Sequence, residues 1–152
     1  MKVYVGADHA GFELKQKLVA YLKEGGHQVV DEGAHELNEG DDYPDFIALV
    51  AKAVSLDTDA VGVILGGSGQ GEAIVANRFP GVRASVYYGG PKDIITLSRE
   101  HNDANILSLG ARFIGEKEAK ETVGLWLRTP FSGEERHKRR IKKIDDIETY
   151  AR

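Results

Sequence analysis

The sequence predicts an α/β fold: one domain over residues 1–152, with a five-stranded parallel sheet covered by helices on both faces and an extra C-terminal helix. Three observations carry this. Short apolar runs rich in β-branched residues alternate with amphipathic stretches along the whole chain, the pattern of repeated strand–helix units. One run, "AVGVIL" at 60–65, is apolar nearly throughout, as a central strand covered on both faces must be. The first and third strand candidates end in glycine-rich loops, at 6–11 and 66–72, and open α/β sheets bind ligands beyond such strand ends.

Taken in order, "KVYVG" (2–6) is the first strand. Phe12, Leu14, Leu18, Val19 and Leu22 then recur near helical spacing, and Gly25-Gly26 stops that helix. "HQVVDEG" (27–33) is the second strand, followed by a polar loop over 34–42. Tyr43 to Leu56 is helical, with Pro44 at its start and Phe46, Ile47, Val50 and Val54 on one side. The third strand, 60–65, runs into the glycine loop and a helix over 72–78. "VRASVYY" (82–88), a helix over 91–102, "NILSLG" (105–110) and a helix over 115–128 complete the alternation, and a last helix spans about 133–150. No internal repeat, low-complexity tract or linker interrupts it.

Composition narrows the function. The formal charge is −4, which gives no reason to expect nucleic acid or a membrane surface. Cysteine is absent, so disulfides, thiolate metal sites and cysteine nucleophiles are excluded. The apolar run in "MKVYVGADHAG" is too short for a signal peptide, and no segment approaches the roughly 18 apolar residues of a membrane span. A cytoplasmic enzyme or binding domain is expected.

The stretch "VILGGSGQGEAIVAN" (63–77) holds the densest chemistry. Gly66 and Gly71 have the spacing of a phosphate-binding Walker loop, but Glu72 stands where its lysine should be and would repel a triphosphate. Gly67 and Gly69 begin a dinucleotide fingerprint, but Glu72 takes the place of its last glycine. What remains is a cluster of backbone N–H groups ahead of a helix, a concave donor site for a phosphate or a developing oxyanion. Glu72 beside it is either a general base or merely a first-turn acid stabilised by the helix dipole; the loop alone leaves both open.

Elsewhere, "GADHAGFELK" (6–15) places Asp8 and His9 at the end of the first strand, as ligands for a hydroxylated molecule or as a helix cap with an incidental histidine. The three acids of "DDYPDF" (41–46) have no histidine at metal-ligand spacing and read as capping groups. His101 and Asn102 close a helix, where a histidine is a dipole partner or an acid–base group. In "RHKRRIKK" (136–143), Ile141, Ile144 and Ile147 form an apolar stripe with Arg136 and Arg140 on its margin. Two arginines beside an apolar contact surface suit a phosphate reached across a subunit interface. A nucleic-acid patch is the competing reading, and the run lacks aromatic interleaving.

Five stretches taken together, "GADHAGFELK", "DDYP", "GGSGQGEAIVAN", "REHNDANILSLGAR" and "RHKRRI", resemble the family of ribose-5-phosphate isomerase B and of the galactose-6-phosphate and allose-6-phosphate isomerases. They span Gly6 to Ile141 in order. The resemblance implies a Rossmann-like three-layer α/β/α sandwich. It implies aldose–ketose isomerisation of a sugar phosphate without metal or cofactor, in a homodimer or homotetramer whose subunits share each active site. It implies that Asp8 and His9 contact the sugar and Tyr43 lines its pocket, while the backbone of Gly67, Gly69 and Gly71 holds the enediolate oxygens and Ser68 sits near them. His101 would open the furanose ring with Asn102 beside it, and Arg112, Arg136 and Arg140 would hold the phosphate, with His137 as a neighbour. Many members carry a cysteine base immediately before a Gly-Thr-Gly loop; that position here is Gly66. Another branch has Ser in place of that Thr and a Glu at the helix start, and Ser68 and Glu72 match it, which favours Glu72 as the carbon base. Ribose 5-phosphate is the expected substrate; another sugar phosphate such as allose 6-phosphate or galactose 6-phosphate, or a non-catalytic anion-binding module, is the alternative.

Overall fold

A computed structural model describes residues 1–150. Five parallel strands, β1 (Lys2–Ala7), β2 (Gln28–Asp31), β3 (Ala60–Gly66), β4 (Ala84–Tyr87) and β5 (Ile106–Gly110), form one sheet in the order β2-β1-β3-β5-β4. The helices are α1 (Phe12–Glu24), α2 (Tyr43–Leu56), α3 (Gln70–Ala76), α4 (Asp93–Glu100), α5 (Glu116–Arg128) and α6 (Glu135–Tyr150). Every residue of the central strand β3 is buried, and so is every residue of its neighbour β5.

The two-residue period of the strands divides the core. Val63, Leu65, Leu107 and Leu109 face one layer with Leu18, Leu22, Ile95, Val123 and Trp126 of α1, α4 and α5. Ile64 and Ile106 face the other, against Ile47, Val50, Val54 and Ala76 of α2 and α3. Fully burying each such branched side chain contributes about 1.5–3 kcal/mol before chain entropy is counted. The result is the three-layer sandwich.

Several elements are shorter than their sequence pattern or shifted from it. β4 begins at Ala84 rather than Val82, because a backbone turn joins Val82 to Phe79 and the Arg83 N–H is taken by the Asn105 side chain. α3 begins at Gln70, so Glu72 lies within its first turn instead of opening it. α4 stops at Glu100, leaving His101 as its C-cap.

The chain leaves β1 toward β2 on one side and β3 toward β4 on the other. That reversal is a topological switch point, and it opens a crevice beyond the carboxyl ends of β1 and β3. β5 lies next to β3, so its following loop borders the same crevice. No helix among the described residues is long and apolar enough to cross a membrane.

Candidate active site

The loop after β3 packs closely against its surroundings. Gly69 has φ +78°, a left-handed conformation that glycine adopts without strain, and a Cβ there would press on the backbone of Leu109 and Gly110. Its carbonyl accepts a 2.7 Å hydrogen bond from the buried Ser108 hydroxyl, which β5 points to the α2–α3 face. Ala111 N–H donates to the Gly66 carbonyl and Arg112 N–H to that of Gly67, lacing the post-β5 loop to the glycine loop. Ser68 Oγ accepts from the Gln70 N–H at 3.3 Å.

Gly66 explains the position of Glu72. A Cβ at residue 66 would collide with the Glu72 carboxylate, which fills the space directly over the end of β3. That carboxylate is buried, with the residue 4% exposed. Burial pushes its pKa above the ordinary carboxylate value and the Asp8 charge adds to this; the N–H groups of Glu72 itself and Gly69 oppose it. The first-turn dipole is therefore outweighed by desolvation. A carboxylate with raised basicity at a cleft is suited to proton abstraction.

The surrounding cleft holds about 560 Å³ and is lined by Asp8, His9, Tyr43, Gly67, Ser68, Gly71, Glu72, Arg112 and Phe113, among others. The Tyr43 ring, set by the first residue of α2, lies against Gly71, and the Arg112 guanidinium lies against Gly67. Asp8 does serve as a local cap: its Oδ1 accepts from the N–H groups of Ala10 and Gly11. Its Oδ2 stands 3.8 Å from His9 Nδ1.

The acids of the 41–46 stretch do not cap α2. Asp42 occupies the N-cap position without a side-chain bond, because Pro44 has no N–H to offer and the Asp45 N–H is taken by the Asp42 carbonyl. Asp41 turns instead to His9, accepting from its backbone N–H at 3.0 Å and lying 2.7 Å from its Nδ1. This contact was not legible in the sequence, since 32 residues separate the partners. Asp8, His9 and Asp41 also bring possible ligand atoms within 4.8 Å of one another, the one such group among the described residues. Its closest pair of atoms is at hydrogen-bond distance from each other and needs no ion between them.

His101, Asn102, Arg136 and Arg140 do not line this cleft. In a strand–helix–strand unit the helix returns antiparallel to the strands, so the C-terminus of α4 lies at their amino ends. Arg83, just before β4, holds the Asn102 carbonyl there. The five residues of β5 separate that edge from Gly110, roughly 15 Å at about 3.3 Å per residue. At the same edge His137, buried on the first turns of α6, stacks on His101 with centroids 4.2 Å apart and planes 15° apart. Burial, then the neighbouring His101 and Arg136, lowers its pKa. Arg136 is exposed and pairs with Glu134 at 2.8 Å, and Arg140 is exposed too. The residues singled out in the sequence thus fall into two groups at opposite ends of one sheet. The apolar stripe of α6 lies near the second group: Ile144 and Ile147 are 44% and 47% exposed and, with Arg83 and Asn102, line a groove of about 440 Å³ beside β4.

Fold and cleft together define an α/β protein with a small-molecule site at the switch point of its sheet. The sequence profile of the Ribose/Galactose Isomerase family matches residues 3–144, and the chain belongs to that family. It is 43% identical over 148 residues to the ribose-5-phosphate isomerase B of Mycolicibacterium paratuberculosis, covering 97% of this chain and 92% of that one. Its structure is similar to that of the Clostridium thermocellum ribose-5-phosphate isomerase B (TM-score 0.93, 43% identity, all of both chains). It is also similar to the Mycoplasma genitalium ribose-5-phosphate isomerase B with bound ribulose 5-phosphate (TM-score 0.93, 35% identity, 98% of this chain and 97% of that one).

Proposed function

We propose that the protein is a metal-independent aldose–ketose isomerase that interconverts ribose 5-phosphate and ribulose 5-phosphate, with Glu72 as the carbon base. The observation that carries this is the buried Glu72 carboxylate over Gly66, at the end of β3, facing a cleft bordered by Ser68 and Arg112. The relatives named above support the pentose over a hexose.

The reaction follows from that arrangement. His101 assists opening of the furanose ring. Glu72 takes the C2 proton of the open-chain aldose, and the electron pair moves through C1 onto O1 as the cis-enediolate forms. N–H groups of Gly67, Gly69 and Gly71 stabilise the developing charge. The hydroxyl proton passes from O2 to O1, with the Ser68 hydroxyl beside these oxygens, and Glu72 returns its proton to C1 to give the ketose. Asp8, His9 and Tyr43 hold the sugar; Arg112, Arg136 and Arg140 hold the phosphate.

Because the two groups of residues lie at opposite ends of the sheet, one chain does not complete the site. A homodimer does, with His101, Asn102, Arg136 and Arg140 supplied by the partner subunit; a homotetramer would repeat that unit. Mixing two inactive variants tests this. Glu72→Gln and His101→Ala, unfolded and refolded together, should recover about a quarter of native activity, because half the dimers are mixed and each mixed dimer has one intact site. Recovery of nothing would place each site within one chain.

The direct test is turnover of ribose 5-phosphate by purified protein with EDTA present and allose 6-phosphate in parallel. Pentose turnover resistant to EDTA is expected. Turnover of the hexose alone would move the specificity, and inactivity on both would overturn the reading.

A further inference from the structure

We propose that Asp41 is a positioning residue for His9, holding the imidazole through Nδ1 so that Nε2 is presented to the cleft as a hydrogen-bond donor to an anionic ligand oxygen. The proposal deepens the isomerase reading and rests on it for the identity of that ligand.

Asp41 binds His9 twice, through the backbone N–H at 3.0 Å and through Nδ1 at 2.7 Å, with the same Oδ1. The loop before α2 is thereby tied to the end of β1, and both the position and the ring angle of His9 are set. Asp8 is the poorer partner for the ring. It is 3.8 Å away, and its Oδ1 is occupied by two backbone N–H groups. The Asp41 side chain is 8% exposed and its Oδ2 has no hydrogen-bond partner. A carboxylate so desolvated is costly unless a cation faces it, and the His9 imidazolium is that cation. With Nδ1 engaged, Nε2 is the ring nitrogen left for the cleft, where His9 is 27% exposed by side chain.

The charged and titratable groups around this pair come from four elements. Asp41 and then Asp8 favour the imidazolium, and Arg112 from the post-β5 loop opposes it; Glu72 of α3 and Tyr43 of α2 line the same cleft. The balance raises the His9 pKa above the ordinary imidazole value. A donor at Nε2 therefore persists to higher pH than an unassisted histidine would allow.

Asp41→Asn keeps an acceptor for the His9 N–H and removes the charge. His9 is followed by NMR of histidine-labelled protein, assigned by its loss in His9→Gln, while kcat and KM for ribose 5-phosphate are measured against pH. The expected result is a His9 titration lowered by about a unit or more in Asp41→Asn. KM should rise about tenfold between the two titration points with kcat nearly unchanged, and Asp41→Asn should add nothing in a His9→Gln background. If Asn is not accommodated, Asp41→Ser is expected to give the same shift. An unchanged His9 titration, or an equal cost of the Asp41 change with and without His9, would overturn the proposal. The NMR arm needs no turnover, so an inactive wild-type protein with the expected His9 shift would fault the substrate alone.

Discussion

Replacing Glu72 by Gln should lower kcat by roughly 10²- to 10⁴-fold and leave KM near its native value, the expected signature of losing a positioned base while the cleft keeps its shape. Gln preserves length and a hydrogen-bonding end, so the substitution isolates proton transfer. In the native enzyme kcat/KM should fall on acidification through a pKa higher than an ordinary carboxylate, because the buried Glu72, as the proposed base, has to be ionised. Stability should move the other way. A carboxyl whose pKa is raised by folding stabilises fully only below its unfolded pKa, and that contribution is lost as pH rises toward the folded value. Glu72→Gln carries no such penalty. Its melting temperature should gain on the native protein as pH rises above the ordinary carboxylate range, then hold a constant lead. Steady-state kinetics and thermal melts from acid to neutral pH check both halves. A mutant with near-native turnover would remove Glu72 from the chemistry.

The second large effect is expected from a single methyl group. In Gly66→Ala the new Cβ claims the space of the Glu72 carboxylate. The obstacle is the far end of a flexible side chain rather than backbone, so the fold should survive while the proposed base is displaced. Turnover should drop by about 10²-fold, the scale for misplacing a catalytic group by about 1 Å, with a melting temperature close to native. Loss of both activity and folded protein would mean that β3 itself cannot accept the change. Unaltered kinetics would mean that the proton-transferring atom lies elsewhere.

Much of this was legible in the residue order. The alternation of runs fixed a five-stranded parallel sheet, and "AVGVIL" marked the strand that the fold buries on both sides. Glycine loops after the first and third strands located the crevice, because the switch-point rule depends only on connectivity. Boundaries were less legible where side chains from distant positions decide them, as Asn105 does for Arg83 at the start of β4. Strand order was hidden as well: nothing local says that β5 inserts between β3 and β4. The role of Asp41 needed the fold, since a run of acids before Tyr43-Pro44 reads as helix capping until His9 is seen beside it. The division of the functional residues between two ends of the sheet is likewise a consequence of helix direction, and no motif carries it.

The lacing of the glycine loop to β5 also bears on how the protein breathes. Ser108 inside the sheet holds the Gly69 carbonyl, and the N–H groups of Ala111 and Arg112 are spent on Gly66 and Gly67. To open the loop, the molecule must disturb a strand that is buried along its whole length. The amide protons of Ala111 and Arg112 should therefore exchange with deuterium only at the rate of whole-molecule unfolding, while those on the exposed face of α6 exchange through small local openings. The proposed reaction centre should then fall in the slowest-exchanging unit of the chain. Its working geometry is kept by the same cooperative free energy that keeps the protein folded.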